Sequence, residues 1–367
     1  MYVNLIDICN PKQWKTVALK NLVADGKYYV YGANGIVGKY NVYNHENETI
    51  LIGCRGTCGI INISKPKSYI NGNAMCLDDL DEELFRKKYI YYYLKNYDFS
   101  DIISGSAVPQ ITIQGLKKIK IKKIPLEEQD KIIESLEKID KLITLKKEGI
   151  TKYNKLIESE FNEMFGDPII NEKNWKTDVL KNLGDFKNGM NFNKSESGYE
   201  IKFLGVGDFS DRKIIDDVDS LDVVNLNTKP SEEYLLKNND IIFVRSNGSK
   251  DLVGRSVLIS DINEALTYSG FCIRFRNTSN DINARYLIEL FHDNIFFNYL
   301  KKDNRGANIN NINQQMLSNL KIIIPHIDLQ NKFAIIVEKV NKQKSEFEES
   351  LNKLKELQSS LMQEYFG

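Results

Sequence analysis

The stretch 127–166, EEQDKIIESLEKIDKLITLKKEGITKYNKLIESEFNEMFG, decides the architecture because the chain contains it twice. Its counterpart is 327–367, IDLQNKFAIIVEKVNKQKSEFEESLNKLKELQSSLMQEYFG. A shift of 201 positions superposes Gln129 on Gln330, Ser159 on Ser360, Phe165 on Phe366 and Gly166 on Gly367. In the first copy Ile132, Leu136, Ile139, Ile143, Lys146, Ile150, Tyr153, Ile157, Glu160 and Met164 follow one another at alternating steps of four and three, and eight of these ten are apolar. That is a heptad seam, which predicts a long amphipathic helix in need of a partner helix. In the second copy Phe333, Val337, Val340, Phe347, Leu351, Leu354 and Leu361 keep the seam, interrupted at Lys344 and Gln358. Each copy is the other's expected partner, in an antiparallel coiled coil with pseudo-twofold symmetry. About 38 residues at about 1.5 Å each make a rod of roughly 57 Å.

Upstream of the helices the same shift carries Gly105 onto Gly306, Ile111 onto Ile312 and Leu116 onto Leu317, and both copies pass through Ile124-Pro125 or Ile324-Pro325. Further upstream, Asn10-Pro-Lys-Gln-Trp14-Lys-Thr-Val-Ala-Leu19-Lys-Asn-Leu22 matches Asn171-Glu-Lys-Asn-Trp175-Lys-Thr-Asp-Val-Leu180-Lys-Asn-Leu183 at nine of thirteen positions, 161 residues apart. These matches predict a tandem duplication, each unit opening with the tryptophan motif and closing with the helix. On that reading the second unit holds 40 extra residues.

Aromatic and β-branched runs bounded by turn residues predict strands at Tyr28 to Gly32, Ile36 to Tyr43, Thr49 to Ile52 and Ile60 to Ile63 in the first unit. In the second they predict strands at Glu200 to Val206, Lys213 to Ile215, Asp240 to Arg245, Gly254 to Ser260 and Phe271 to Arg276. Helices are expected at Asp81 to Lys95 and at Asn283 to Leu300. The fold class is α/β (α+β): residues 1–125 and 167–325 form globular domains, 126–166 and 326–367 the two helices.

At 42% hydrophobic and 10% aromatic residues, the chain has enough apolar surface for real cores. Its net charge is zero, but residues 13–125 hold 16 Lys and Arg against 10 Asp and Glu, while residues 166–325 hold 20 against 22. Five cysteines without scaffold spacing, no leader pattern and no apolar run near twenty residues indicate a cytoplasmic protein. Cys54 and Cys58 are read as free thiols, since His45 and Cys76 form no second paired metal motif with them. No catalytic or metal-binding set is expected. The phosphate-loop, His-Glu-x-x-His and Gly-x-Ser-x-Gly patterns are absent, as is the Pro-Pro-containing tetrapeptide of amino-methyltransferases.

What remains are cations and amides in polar, glycine-bearing loops. In the first unit these are Asn34, Lys39, Arg55 and Thr57; in the second they are Arg245, Ser246, Asn247, Lys250, Arg255, Arg305 and Asn308. Arg and Asn suit purine edges in a major groove, while Lys suits phosphates. Taken singly, each is better explained as an exposed solubilising or turn residue than as a DNA contact.

The duplicated Asn-x-Lys-x-Trp-Lys-Thr-x-x-Leu-Lys-Asn-Leu motif, the Ile-Pro exits, Gln129 and Gln330, the Phe-Gly ends and the loop Phe243 to Arg255 together resemble the specificity (S) subunit of type I restriction-modification systems. So do Tyr31-Gly-Ala-Asn-Gly-Ile-Val-Gly38 and Ile52-Gly-x-Arg55-Gly. The resemblance covers almost the whole chain. It implies two target-recognition domains that each read half of a bipartite double-stranded DNA sequence, with the helices as a ruler for the unread spacer. It also implies two modification (methyltransferase) subunits that bind S-adenosylmethionine, restriction (ATP-dependent translocase/nuclease) subunits as further partners, and no cofactor or catalysis in this chain. The competing readings are a single-chain DNA methyltransferase or nuclease, against which the missing motifs speak, and a coiled-coil scaffold binding protein alone.

Overall fold

A computed structural model describes residues 1–105, 108–193, 196–209, 212–246, 252–301 and 311–367. In chain order the elements are β1 (Tyr2–Asn4), α1 (Leu5–Ile8), β2 (Asn10–Gln13), β3 (Tyr28–Gly32), β4 (Gly35–Tyr40), β5 (Ile50–Gly53), β6 (Ile61–Ile63), β7 (Tyr69–Ile70), β8 (Ala74–Asp78), α2 (Lys87–Asn96), β9 (Ile103–Ser104), β10 (Gln110–Ile111), α3 (Ile113–Leu116), β11 (Lys120–Lys122) and α4 (Leu126–Phe165). Then follow β12 (Lys176–Val179), β13 (Gly184–Asn188), β14 (Tyr199–Leu204), β15 (Ile214–Ile215), β16 (Val223–Leu226), β17 (Asp240–Val244), β18 (Ser256–Ile259), β19 (Leu266–Tyr268), β20 (Cys272–Asn277), α5 (Ala284–His292), α6 (Asn294–Leu300), α7 (Gln314–Ser318), β21 (Lys321–Ile324) and α8 (Ile327–Phe366). The chain divides into two compact units, residues 1–148 with 347–367, and residues 149–346, so each long helix contributes to both.

In the first unit, a sheet of order β2-β8-β5-β6 packs against a smaller one of order β4-β3-β7. Strand β5 is buried along its whole length, which is why its sequence is continuously apolar rather than alternating. Side chains still alternate: Ile50 and Ile52 join the core formed with Tyr89, Ile90 and Leu94 of α2. Leu51 faces the opposite way, toward Tyr31 and Ile70 of the smaller sheet.

The second unit repeats this plan with a sheet of order β13-β20-β17-β18-β15 and a smaller one of order β16-β14-β19. Ile241 and Phe243 lie against α5, and Ile242 and Val244 against Leu204 and Tyr268. The antiparallel and parallel pairings of β3 with β4 and β7 recur in β14 with β16 and β19.

The duplication is real, but its first half lies in a different register from the one the tryptophan motif suggests. In the first unit Tyr2↔Lys122 pairs β1 with β11; in the second Thr177↔Ile323 pairs β12 with β21. The Leu5 N–H donates to Ile119 O, just as Leu180 N–H donates to Leu320 O. Tyr2 to Leu5 therefore occupies the place of Thr177 to Leu180, a shift of 175 rather than 161. Against the end shift of 201 this leaves 26 extra residues in the second unit, not 40. The cause is burial: Leu5 and Leu180 are both fully buried, whereas Leu19, which the motif aligns with Leu180, is 73% exposed.

Two helix expectations also change. The turn at 81–84 precedes α2, which starts only at Lys87. The run Asn283 to Leu300 is two helices, because the Asp293 carboxylate accepts the N–H groups of Ile295 and Phe296 and so caps a new start.

Within each unit the long helices run antiparallel. In the first unit Gln358 donates to Asp140 at 2.5 Å and Lys146 Nζ lies 3.9 Å from the Phe347 ring centroid. In the second, Phe161 and Phe165 meet Phe333 with ring centroids 5.6 and 5.2 Å apart. The polar positions that interrupt the seam are thus accommodated: Lys146 covers an aromatic ring, and Gln358 joins Asp140, which also accepts the Tyr92 hydroxyl at 2.7 Å. In the last turns Phe161 and Phe165, rather than Glu160 and Met164, are the buried residues. A straight helix drifts about 20° per heptad against a 3.5-residue repeat, which over four heptads moves the buried face by about one position. Among the described residues no helix is long and apolar enough to cross a membrane.

Candidate nucleic-acid interface

In the first unit the β3–β4 hairpin turns through Ala33 and Asn34, with Gly35 at φ 101°. The loop after β5 carries Arg55, Gly56 and Thr57, all exposed. These two features are pressed together at Gly53, where a Cβ would stand 2.4 Å from the Thr57 carbonyl oxygen and 2.5 Å from that of Ala33. No larger residue fits there without moving backbone. A third segment closes the group: Ile111 N–H donates to Cys54 O at 2.9 Å, and Arg55 forms an isolated bridge with Gln110. Asn34, Arg55 and Thr57 are therefore neighbours by construction. Lys39 lies farther along β4, 5.9 Å from the Tyr29 ring that Lys65 also approaches at 4.7 Å.

The second unit builds the same junction from different side chains. Ile312 N–H donates to Arg245 O at 2.9 Å, and Ser246 bridges Asn311. Arg245 thus stands where Cys54 stands, and Ser246 where Arg55 stands, on a matched backbone. The two-residue turn of the first unit is replaced by residues 205–222, which include β15. Arg255 Nη1 donates to Phe209 O at 3.4 Å, tying the β17–β18 loop to that connection. Two of the insertions that lengthen the second unit, the connection 205–222 and the β17–β18 loop, meet through this contact.

Arg255 also lines a cavity of about 300 Å³ with Arg212, Lys213, Phe209 and His292. Lys213 is paired to the buried Glu289 at 2.8 Å, and the Arg212 guanidinium donates to Ser220 at 3.0 Å. Burial, then the Lys213 charge, holds His292 below its ordinary value, and its Nε2 lies 2.8 Å from Ser256 O. Asn247, Lys250, Arg305 and Asn308 lie outside the described residues.

Sequence reasoning missed the roles of Gln110 and Asn311, which hold the third segment in place. The signal was available, since the 201-residue shift superposes them. Cys54 and Cys58 do not form a joint site: the Cys54 sulfur accepts from Gln13 at 2.9 Å, and the Cys58 thiol donates to Pro109 O at 3.2 Å.

A family profile described as the type I restriction modification DNA specificity domain matches residues 1–154 and 172–358. The chain belongs to the type I restriction-modification DNA specificity family. It is similar to the type I restriction enzyme MjaVIII specificity subunit of Methanocaldococcus jannaschii, at 24% identity over 89% of this chain and 83% of that protein. The type I restriction enzyme StySPI specificity subunit of Salmonella potsdam is 31% identical over 43% of this chain and 35% of that one. In fold the chain is similar to the crystal structure of the S subunit from M. genitalium, with a TM-score of 0.64 at 16% identity, covering 100% of this chain and 96% of the other. Membership of the specificity family makes this chain a DNA-recognition component rather than a catalytic one, and the tandem mixed α/β architecture with paired long helices agrees with that fold.

Proposed function

We propose that each unit reads one half of a bipartite double-stranded DNA target, and that the paired helices set the distance between the halves. The carrying observation is the backbone pairing that recurs in both units, Cys54 and Arg55 with Gln110 and Ile111 in one and Arg245 and Ser246 with Asn311 and Ile312 in the other, which presents two different side-chain sets. A fixed scaffold with exchanged donors and acceptors is what reading two dissimilar half-sites demands. Arg pairs in bidentate fashion with guanine, and Asn with adenine. The cations around the 300 Å³ cavity suit phosphates, which position a protein without specifying sequence.

In this account the partners are DNA, two modification subunits that carry S-adenosylmethionine, and restriction subunits. The exposed helix residues Lys141 and Glu148, opposite the seam, with Lys138 and Lys147 to either side of it, offer a docking surface for the modification subunits. Selection from a random-duplex library by the chain together with its modification subunits tests the reading. Two defined blocks separated by a fixed number of unspecified pairs are expected; a single continuous block, or no enrichment, contradicts it.

A further inference from the structure

Away from the junction, three metal-ligating side chains of the first unit converge: His45, Cys76 and Asp78, whose ligand atoms all lie within 4.8 Å of one another. Cys76 and Asp78 are two residues apart on β8 and so project from the same face. His45 comes from a neighbouring segment fixed by reciprocal backbone bonds with Ser68.

The protonation of His45 follows from its neighbours. The Asn44 amide is oriented by Ile70, whose N–H donates to Asn44 Oδ1 at 2.7 Å and whose carbonyl accepts from Nδ2 at 3.0 Å. The same Oδ1 faces His45 Nδ1 at 2.8 Å, so Nδ1 carries the proton. His45 Nε2 is then left facing Asp78 Oδ1 at 3.2 Å and Oδ2 at 3.4 Å. With Nδ1 donating to Asn44, what holds Nε2 against the Asp78 carboxylate is either a second ring proton, which makes an ion pair, or a metal ion bridging the two. A proton on Nε2 would engage only that pair, whereas a divalent metal would also engage Cys76, whose sulfur lies within 4.8 Å of the other two ligand atoms.

The second unit shows what this position requires. Strand register places Arg276 where Asp78 stands and Asp240 where Thr49 stands. There the guanidinium makes two bonds to the carboxylate, at 2.7 and 2.6 Å. That unit supplies its cation covalently; the first unit has a carboxylate, an imidazole and a thiol instead.

We propose that His45, Cys76 and Asp78 form a zinc site that clips the segment around His45 to β8. Imidazole, thiolate and carboxylate are a zinc donor set, and an N–H···O contact on the second imidazole nitrogen is the usual support of a metal-bound histidine. Tetrahedral zinc sets its ligand atoms about 3.5 Å apart, close to the His45–Asp78 separation and within a rotamer adjustment of the rest. His45 and Asp78 open on a cleft of about 380 Å³ where, with Asp78, the carboxylates of Glu46, Glu48, Asp79 and Glu82 outnumber Lys12, Lys67 and Lys87, which pair with the last four. This excess of carboxylates favours a cation, and water completes the shell.

The full chain, zinc-loaded and then dialysed against zinc-free buffer, is expected to retain one zinc per molecule by elemental analysis. Cys76→Ser and His45→Gln should each weaken retention by at least about tenfold, while Cys54→Ser keeps it. Cobalt added to the metal-free wild type is expected to give a near-ultraviolet thiolate-to-cobalt band that is absent in Cys76→Ser. A wild-type chain that retains no zinc, or that takes up cobalt without this band, overturns the proposal whether or not the variants fold. So does zinc retention unchanged by Cys76→Ser.

Discussion

Gln129 and Gln330 make the same three hydrogen bonds in the two units. Gln129 Oε1 accepts the Arg86 N–H at 2.8 Å, and its Nε2 donates to Leu84 O and Ile124 O at 2.9 and 3.0 Å. Gln330 Oε1 accepts the Asn283 N–H at 2.8 Å, and its Nε2 donates to Asp281 O and Pro325 O at 2.9 and 2.7 Å. Both side chains are fully buried. Each joins the first turn of a long helix to the start of the domain helix, α2 or α5. The match continues in Tyr89 and Tyr286, which pack on Phe366 and Phe165 at ring-centroid distances of 5.5 and 4.8 Å.

Replacing Gln129 or Gln330 by Leu leaves three buried backbone groups without partners and is expected to cost about 2–5 kcal/mol. Trp14 and Trp175 report separately on the two units. In single-tryptophan variants, Gln129→Leu should lower the urea midpoint seen by Trp14, and Gln330→Leu the one seen by Trp175. Midpoints that do not move would show that the clasps are not structural.

The long helices were legible from sequence because a heptad pattern is local and repeated over several turns, and β3 to β6, β14, β15, β17, β18 and β20 were legible as apolar runs, whereas β7, β8, β13, β16 and β19 were not read as strands. The start of the duplication was not: nine matched residues around Trp14 outweighed the unremarkable Tyr2-Val-Asn-Leu5, which the fold uses for the pairing with β11. The polar loops could be marked as candidate sites, but not their convergence. The meeting of Ala33 with Thr57 at Gly53, and of Arg255 with Phe209, depends on chain segments far apart in sequence. The partners of His45 and Cys76 were hidden for the same reason, since neither belongs to a paired local motif.

Arg245 has its backbone fixed by Phe271 O at 2.8 Å and by Ile312 N–H at 2.9 Å, so Arg245→Ala removes the side chain without releasing the loop. It should weaken recognition of one half-site by about 1–3 kcal/mol and leave the other unchanged, with Arg55→Ala doing the converse. Competition binding with duplexes altered in one half at a time measures this. Equal losses on both halves would assign these arginines to phosphates.

His292 gives the second unit a pH dependence. Its folded value lies below the ordinary 6.5 because of burial and the Lys213 charge, so the unfolded chain takes up its proton first as pH falls. The stability that His292 contributes is complete above 6.5 and is lost as the pH drops through it toward the folded value. Urea midpoints reported by Trp175 should fall between about pH 7.5 and about pH 5, and His292→Gln should flatten that decline. A decline of equal depth in the variant would place its origin elsewhere.

Matched heptads centred on the Lys146–Phe347 contact, residues 143–149 and 344–350, can be deleted together. Removing seven residues shortens each helix by about 10 Å, roughly three base-pair steps. The tolerated spacer should shorten by about three pairs with both half-sites unchanged, as random-duplex selection would read. An unchanged spacer would remove the helices' role as ruler.

Methylome sequencing of cells producing this chain with its modification subunits, beside cells in which residues 167–325 are exchanged for those of a relative, tests most directly whether each unit reads one half of the target. A bipartite adenine-methylated motif that disappears when the chain is deleted, and an exchange that alters one block only, are expected. A continuous motif, or an exchange that alters both blocks or neither, would contradict that reading.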